Sequence, residues 1–172
     1  MLTIAITGAN GFVAQHFIRR LQENSIDSIS EIRTIDRKSF SPIFSFANRI
    51  PWCITVVIWS KILADWRQFL PAVILLDVEK LNEDYMRDNL NATEKLLDAM
   101  FSANVQNLIF VGDAYANLPP GDNFGPSEVM HTNLESSFLL GHYGESVSRA
   151  EMCARKQVGK TLPNGETFQG LF

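Results

Sequence analysis

The sequence predicts an α/β fold in which helices cover both faces of a mostly parallel sheet. Short β-branched runs alternate along the chain with segments of helical periodicity, which is typical of a parallel sheet with crossover helices. A glycine-rich turn joins the first such run to the first helical segment. The chain has 172 residues, 46% of them hydrophobic and 20% charged, which is enough for one domain with a sizeable core.

The composition excludes several other classes of protein. Ten glycines and seven prolines are too few for a Pro/Gly-dominated chain, and the apolar content argues against disorder. A net charge of −4 with scattered lysines and arginines argues against nucleic-acid binding. The N-terminus lacks the features of a signal peptide, and residues 50–60 are too short an apolar run for a membrane span of about 20 residues. We therefore expect a cytoplasmic chain with no membrane segment and no nucleic-acid partner.

The first elements follow from short apolar runs and one helical pattern. Residues 2–6 predict a strand that ends at a Thr-Gly pair. Residues 11–24 predict a helix, and residues 32–35 predict a second strand closed by Asp36. The apolar face predicted for this helix consists of Phe12, Val13, Phe17, Ile18 and Leu21.

The middle of the chain contains an irregular connection followed by shorter elements. Residues 37–52 hold Ser-Pro and Ile-Pro pairs, which indicate a connection without regular structure. The elements predicted next are a strand over 53–59, a short helix over 65–70 and a strand over 73–76. The longest helix is predicted over residues 82–104, where apolar and small residues recur at spacings of three and four.

The last part of the chain predicts a strand, a long loop, a helix and a final strand. The strand covers residues 108–111, and residues 112–135 contain Pro-Gly and Asn-Phe-Gly turns that indicate a loop. A loop of that length in a compact domain is more often functional than idle. A helix is predicted over residues 143–156 and a strand over residues 167–172.

The turn after the first strand reads Thr7-Gly8-Ala9-Asn10-Gly11-Phe12-Val13-Ala14. Gly8 can turn tightly without a steric penalty, and Gly11 lets the backbone approach a pyrophosphate held at the helix N-terminus. Ala14 is small enough for close packing of the helix on the strand. This spacing between a strand and a helix is typical of a Rossmann-type dinucleotide-binding turn.

Asp36 closes the second strand, where a carboxylate accepts hydrogen bonds from the adenosine ribose and repels a 2′-phosphate. Such a residue favours NAD over NADP, although Arg37 and Lys38 could partly offset the preference. The alternative is a purely structural glycine turn beside a surface aspartate. We predict dinucleotide binding, with NAD as the cofactor. The predicted cofactor-binding residues are Thr7, Gly8, Asn10, Gly11, Phe12, Val13, Asp36 and Arg37.

Four further segments accompany the glycine turn: NLNATEKLL at 89–97, VQNLIF at 105–110, YGESVSRAE at 143–151 and Asn-Gly at 164–165. Together with the turn they resemble the 3-beta-hydroxysteroid dehydrogenase/isomerase family, a branch of the extended short-chain dehydrogenases. In that family the corresponding segments are the Asn-Val-x-Gly-Thr-x-x-Leu-Leu helix, the fifth strand, the catalytic tyrosine helix and the lead into the sixth strand. The resemblance runs over the whole chain, is weakest across residues 37–80, and implies one Rossmann-type domain over residues 1–172.

The resemblance also implies a reaction, NAD-dependent hydride transfer at the CH–OH group of a steroid-like substrate. In the family a tyrosine acts as general acid/base, a lysine one helical turn later lowers its pKa, and a serine or threonine orients the substrate oxygen. Tyr143 matches the tyrosine and is the candidate catalytic residue. Because a phenol has a pKa of about 10, it needs the nearby cation to work at neutral pH.

The sequence departs from the family's pattern at three places. After the fourth strand, Asp77-Val78 replaces a small Ala-Ala pair that lets the backbone approach the cofactor. Val147 stands four residues after Tyr143, where the family has lysine, and Arg149 falls on another face of the helix. The fifth strand ends in Val-Gly-Asp at 111–113 instead of a Thr-Ser-Ser type sequence. Asp113 would bring a negative charge near the tyrosine and raise the cost of forming tyrosinate. Losing both partners should reduce activity by several orders of magnitude, because such groups act as a unit.

Two functions therefore stay open: an NAD-dependent oxidoreductase of steroid metabolism, or an inactive NAD(H)-binding Rossmann remnant with a regulatory or partner-binding role. The resemblance implies that the family's C-terminal substrate-binding portion is missing, so self-association through uncovered apolar surface is expected. No metal site is expected, because the histidines share no ligand spacing with cysteines or acids. They are His16, His131 and His142.

Overall fold

A computed structural model describes residues 2–24, 27–45, 49–56, 70–72, 82–116, 118 and 138–172. The strands in these ranges are β1 (Leu2–Thr7), β2 (Ile29–Asp36), β3 (Trp52–Val56), β4 (Leu70–Ala72), β5 (Asn107–Ile109) and β6 (Gln169–Leu171). The helices are α1 (Phe12–Asn24), α2 (Asn82–Tyr85), a π-helical stretch called here the π segment (Met86–Asn91), α3 (Ala92–Ser102) and α4 (Gly141–Arg155).

Parallel pairing orders the first four strands as β3-β2-β1-β4. β5 and β6 pair in parallel with each other, and β5 contacts β4. The strands therefore follow the order 3-2-1-4-5-6, which is that of the doubly wound dinucleotide-binding fold. In such sheets ligands bind outside the carboxyl ends of the strands, where the winding reverses between β1 and β4.

Side chains from the two faces of β1 and β2 enter two different cores. Ile4, Ile6 and Ile32 pack with α1 on one face. Ala5 and Ile35 pack with α3, β5 and α4 on the other face. Because successive residues of a strand point to opposite faces, both sides of the sheet carry apolar side chains and both are covered by helices. The predicted doubly wound α/β fold is confirmed.

The buried face of α1 differs from the predicted one at its first turn. Phe12 and Val13 are 71% and 51% exposed, whereas Ile18 is fully buried as predicted. At about 100° per residue, Phe12 and Val13 lie on the far side of α1 from its buried residues, and Ala14 and Gln15 of the same turn are buried. Further along the helix, the buried stripe includes the polar residues Gln15 and Gln22, both with no exposed surface.

The irregular connection predicted between β2 and β3 is confirmed over its described residues and is fixed in place by α1. Gln15 donates from Nε2 to the carbonyl of Ser41 at 2.9 Å. Gln22 accepts from the N–H groups of Arg49 and Ile50 at 2.8 Å each and donates to the Ile50 carbonyl at 3.0 Å. The glutamine side chains therefore satisfy backbone groups that no strand or helix pairs.

Several predicted boundaries in the first half of the chain are wrong. Those of β1, α1 and β3 differ by one residue each, so that Trp52 belongs to β3 and not to the irregular connection. β2 begins at Ile29, three residues before its predicted start, because it pairs along the whole length of β1. Leu70 belongs to β4, where its backbone pairs with Ile6 of β1, and not to the predicted helix over 65–70. The rest of that predicted helix and the strand predicted over 73–76 lie outside the described residues.

The helix predicted over 82–104 contains the π segment and ends earlier. α2, the π segment and α3 follow one another without a break. α3 then ends in a Schellman motif, in which the N–H of Val105 donates to the Met100 carbonyl at 2.8 Å and the N–H of Asn104 donates to the Phe101 carbonyl at 3.2 Å. Asn104 has a φ of +55°, a left-handed conformation that asparagine tolerates better than most residues.

The C-terminal elements lie within a few residues of their predicted positions. β5 begins at Asn107, one residue earlier than predicted, and α4 begins at Gly141, two residues earlier. β6 is shorter than the strand predicted over 167–172. Within the described ranges, no helix is long and apolar enough to cross a membrane.

Candidate functional site

The glycine turn lies between β1 and α1 at the carboxyl edge of the sheet. Gly8 has a φ of +62°, a left-handed conformation that glycine adopts without strain. The N–H of Gly11 donates to the carbonyl of Gly8 at 2.8 Å, and the N–H of Gln15 donates to the carbonyl of Gly11 at 2.9 Å. Ala14 is 1% exposed and packs in the core under α1, as predicted. The turn therefore closes tightly and leads directly into the helix.

The first turn of α1 offers a binding position for an anion. The first N–H groups of an α-helix have no intrahelical acceptor, and the helix dipole adds a partial positive charge there. Phe12 and Val13 form this turn, and their side chains are exposed. A pyrophosphate is the kind of group that such a helix start binds. The predicted cofactor-binding residues between Thr7 and Val13 therefore lie together at the carboxyl edge of the sheet.

Asp36 lies at the end of β2 and contacts the glycine turn directly. Its Oδ2 accepts from the N–H of Asn10 at 2.9 Å, and its Oδ1 accepts from the N–H of Lys38 at 3.2 Å. The Asn10 side chain donates to the Lys38 carbonyl at 3.2 Å and accepts from the N–H of Ser41 at 2.9 Å. The carboxylate is therefore held at a fixed position beside the turn, where it could accept from ribose hydroxyls. Turn, helix start and carboxylate together fit an adenine dinucleotide.

Arg37 points from the end of β2 toward the helix that follows β4. Its Nη1 lies 3.4 Å from Oδ2 of Asp88 in the π segment. The Arg37 side chain is 54% exposed, and that of Asp88 is 20% exposed. Sequence reasoning missed this pair, because its members are 51 positions apart and no local pattern joins them.

Tyr143 is buried in the first turn of α4 and is hydrogen-bonded to Asp113. Its hydroxyl donates to Oδ2 of Asp113 at 3.2 Å, and its ring packs edge-on against Tyr85 with 5.8 Å between centroids. Burial, followed by the charge and hydrogen bond of Asp113, raises the pKa of Tyr143 to about 12. The predicted effect of Asp113 is confirmed, and burial adds a larger effect that the sequence did not reveal.

Val147 occupies the position one turn after Tyr143 and has no exposed surface. It packs in a small apolar cluster with Tyr85, Ala116 and Tyr143. Arg149 is paired with Glu145 on the outer side of α4, at 2.9 Å from Nε to Oε1. As predicted, Arg149 does not take the place of the family's lysine.

Gly112 precedes Asp113 and lies against Glu151 of α4. A Cβ at Gly112 would lie 2.7 Å from Oε2 of Glu151, which is closer than real Cβ contacts. Glu151 is 6% exposed and forms an ion pair with Arg155 at 2.7 Å. A hydroxyl-bearing residue at position 112 would therefore have to displace a buried, paired carboxylate.

A buried polar link between the π segment and α4 was also missed by sequence reasoning. Nδ2 of Asn89 donates to Oγ of Ser146 at 2.8 Å, and this hydroxyl donates to the carbonyl of Tyr143 at 2.8 Å. Asn89 and Ser146 are 6% and 0% exposed. Both residues lie in predicted helices within the segments that carry the family resemblance. A polar residue on the buried face of such a helix was the signal in the sequence that could have indicated this link. The π segment thus contacts Arg37, the residue after β2, through Asp88, and it contacts the tyrosine helix through Asn89.

The histidines have no common site in the described residues. The ring of His16 packs edge-on against that of Phe12 and at a tilt against that of Phe44, at centroid distances of 4.5 and 4.4 Å. His142 is exposed, and His131 lies outside the described residues. In the part of the chain that is described, no group of three or more His, Cys, Asp or Glu side chains could hold a metal ion.

The sheet order, the glycine turn and the Asp36 carboxylate define a Rossmann-type nucleotide-binding protein. Residues 5–170 match the 3-beta hydroxysteroid dehydrogenase/isomerase family. The chain belongs to that family, which confirms the predicted resemblance.

Solved structures of nucleotide-sugar enzymes share the fold. DesIV, a dTDP-glucose 4,6-dehydratase from Streptomyces venezuelae with NAD and TYD bound, is 17% identical with a TM-score of 0.71, over 90% of this chain and 51% of that one. The UDP-glucuronic acid 4-epimerase from Bacillus cereus in complex with NAD is 20% identical with a TM-score of 0.64, over 88% and 51%. The UDP-N-acetylglucosamine 4-epimerase from Methanobrevibacter ruminantium M1 is 20% identical with a TM-score of 0.62, over 90% and 49%. The chain thus spans about half the length of these structures.

Proposed function

We propose that this chain binds NAD(H) on the glycine turn and does not catalyse the hydride transfer of its family at an appreciable rate. The observation that carries this proposal is the hydrogen bond from the Tyr143 hydroxyl to the Asp113 carboxylate. The chain has kept the glycine turn and Asp36, whereas its candidate catalytic tyrosine faces an anion and Val147 stands in place of the family's lysine.

The binding part of the proposal rests on the geometry beside Asp36. The Asp36 carboxylate would accept from the adenosine ribose, and the N-terminus of α1 would hold the pyrophosphate. Gly8, with its positive φ, lets the turn close under the cofactor. When bound, NAD would supply the hydride acceptor at its nicotinamide. DesIV and the Bacillus cereus epimerase have NAD bound on the same fold, which supports this choice.

The loss of catalysis follows from the protonation of Tyr143. With a pKa of about 12, on the order of one phenol in 10⁵ is ionised at pH 7, so the residue is a very weak base there. In the family a lysine counteracts this, but the corresponding Val147 is buried among apolar side chains. The proton of the phenol is also engaged with Asp113, so it is not directed toward a substrate oxygen.

A second candidate is an NAD-dependent oxidoreductase that acts on the CH–OH group of a steroid-like substrate. The family match over residues 5–170 and the retention of Tyr143 favour it. We propose a steroid-like substrate for this second candidate. For either candidate we propose a cytoplasmic location and self-association of the chain.

The experiment that separates the two candidates has a binding step and a turnover step. NAD and NADH are titrated while the fluorescence of the three tryptophans is followed. Turnover is then measured by the absorbance of the reduced nicotinamide, with a panel of 3β-hydroxysteroids and a parallel panel of nucleotide sugars. We expect micromolar binding without turnover. Turnover of a steroid would contradict the first candidate and support the second, and failure to bind either dinucleotide would contradict both.

A further inference from the structure

We propose that Asp88 is a specificity-determining residue of the cofactor site: by holding Arg37, it prevents that side chain from binding a 2′-phosphate and so keeps the site selective for NAD over NADP. This inference rests on the proposed function, because it requires a dinucleotide to bind beside Asp36.

Arg37 is the reason that such a residue is needed. It follows Asp36 directly, so it stands at the carboxyl end of β2 beside the position of the adenosine ribose. A guanidinium at this end of a Rossmann sheet can accommodate a 2′-phosphate, because its planar fork matches the phosphate oxygens. An unrestrained arginine here would therefore weaken the discrimination that Asp36 provides.

The ion pair holds Arg37 across the sheet edge. Arg37 follows β2, Asp88 lies in the helical region that follows β4, and β1 stands between these two strands. The 3.4 Å contact between Nη1 of Arg37 and Oδ2 of Asp88 therefore joins the carboxyl end of β2 to the helical region that follows β4 in the chain. The guanidinium is directed toward the π segment and its acidic residue.

The carboxylate of Asp88 is the better-fixed member of the pair. Its Oδ1 accepts from Nε of Arg87 at 2.9 Å, and Arg87 is in turn paired with Asp84 at 2.7 Å. The next residue, Asn89, is anchored by its buried hydrogen bond to Ser146. The Arg37 side chain is 54% exposed, and the 3.4 Å between Nη1 of Arg37 and Oδ2 of Asp88 is long for an ion pair. The interaction between Arg37 and Asp88 therefore has the strength of a surface ion pair. Its effect on cofactor choice should therefore be several-fold and not several orders of magnitude.

The test is the substitution Asp88→Asn, with Asp84→Asn as the matched control. Both remove one negative charge from the same helical region and one contact of Arg87, but only Asp88 contacts Arg37. Dissociation constants for NAD and NADP are measured by tryptophan fluorescence at one fixed, low ionic strength. We expect Asp88→Asn to tighten NADP binding by about three- to fivefold, with NAD binding changed less than about twofold. Asp84→Asn should leave the NAD-to-NADP ratio unchanged.

A double-variant cycle then tests whether Asp88 acts through Arg37. In the Arg37→Ala background, Asp88→Asn should no longer improve NADP binding. The inference is overturned if NADP binding is unchanged in Asp88→Asn, if the gain persists without Arg37, or if Asp84→Asn produces an equal gain. If the unmodified chain binds NAD and Asp88→Asn has no effect, this inference alone fails. If the unmodified chain binds neither dinucleotide, the proposed function fails as well.

Discussion

The hydroxyl oxygen of Tyr143 and Oδ2 of Asp113 lie 3.2 Å apart, with the phenol as donor. This contact reverses the electrostatics that a catalytic tyrosine needs. A neighbouring cation stabilises tyrosinate and lowers the pKa of the phenol, whereas burial and a neighbouring carboxylate stabilise the protonated form. The segment that follows β5 and the first turn of α4 are therefore arranged to keep the proton on Tyr143.

Removing the charge of Asp113 should lower the pKa of Tyr143 without restoring its ordinary value. In Asp113→Asn the amide oxygen can still accept from the phenol, but the charge is gone, so we expect a pKa below 12 and above 10.0 because burial remains. The measurement is an ultraviolet titration of tyrosine ionisation, with Tyr143→Phe identifying the signal. An unchanged pKa would show that the carboxylate does not act on the phenol.

The raised pKa of Tyr143 also predicts how stability depends on pH. Between pH 10 and about 12 the unfolded chain loses a proton that the native chain keeps, so unfolding becomes more favourable as pH rises. The stabilising effect is fully present below pH 10 and is lost as pH rises through about 12. Urea unfolding over this interval should show a steeper loss of stability in the unmodified chain than in Tyr143→Phe. Equal slopes would mean that Tyr143 titrates alike in both states.

Restoring the family's lysine should destabilise the chain. Val147 has no exposed surface and packs with Tyr85, Ala116 and Tyr143, so Val147→Lys places an ammonium group in an apolar cluster. We expect the free energy of unfolding to fall by about 2–4 kcal/mol, measured by chemical denaturation. Val158→Lys is the matched control, because Val158 is 44% exposed and should change stability by less than about 0.5 kcal/mol. Similar effects at the two positions would contradict the tight packing described for Val147.

Neutralising Asp36 should weaken NAD binding while leaving the turn folded. In Asp36→Asn the amide oxygen can still accept from the N–H of Asn10, but the exposed bond from the N–H of Lys38 is lost, and so are the charge-assisted bonds proposed to the ribose. The dissociation constant for NAD should rise by about tenfold or more. Asp98→Asn, on the exposed side of α3, is the control for the change in net charge. If the two variants bind NAD equally well, Asp36 is not the ribose acceptor.

Replacing Gln22 by an apolar residue should destabilise the fold although it improves the apolar pattern of α1. Gln22→Leu would leave the N–H groups of Arg49 and Ile50 and the Ile50 carbonyl without their partner. We expect a loss of about 2–4 kcal/mol in the free energy of unfolding, because buried backbone groups would lack hydrogen bonds. Arg20→Leu, an exposed position of the same helix, should cost less than about 0.5 kcal/mol. If Gln22→Leu left the free energy of unfolding unchanged, water would have replaced the hydrogen bonds of the side chain.

The sequence was most informative where a residue's own chemistry determines the local backbone. Gly8 makes the tight turn predicted for it, with a left-handed backbone, and Asp36 closes its strand beside it. Periodicity identified α1, but the predicted apolar face included Phe12 and Val13, which are exposed, and left out the buried residues Gln15 and Gln22. A pattern of apolar residues could not reveal these glutamines, because they are buried through hydrogen bonds to the connection between β2 and β3.

Contacts between distant segments could not be predicted in this way. The bond between Asn89 and Ser146 joins residues 57 positions apart, and it depends on how the π segment turns the helix. The burial of Tyr143 likewise depends on Tyr85 and Ala116, which come from separate elements. The sequence of a single chain contains no pattern that indicates which distant residues are in contact.

The π segment suggests how this helix would respond to a change in chain length. A π turn accommodates one residue more than the α turn that it replaces. Deleting one residue within 86–91 could therefore restore a regular α-helix while α3 keeps Leu96 and Met100 in the core. The same deletion would turn the residues before it by about 100° relative to α3, so that the contacts of Asp88 with Arg37 and of Asn89 with Ser146 would be lost. A shortened chain could thus fold normally and still lose the connection between the end of β2 and the tyrosine helix.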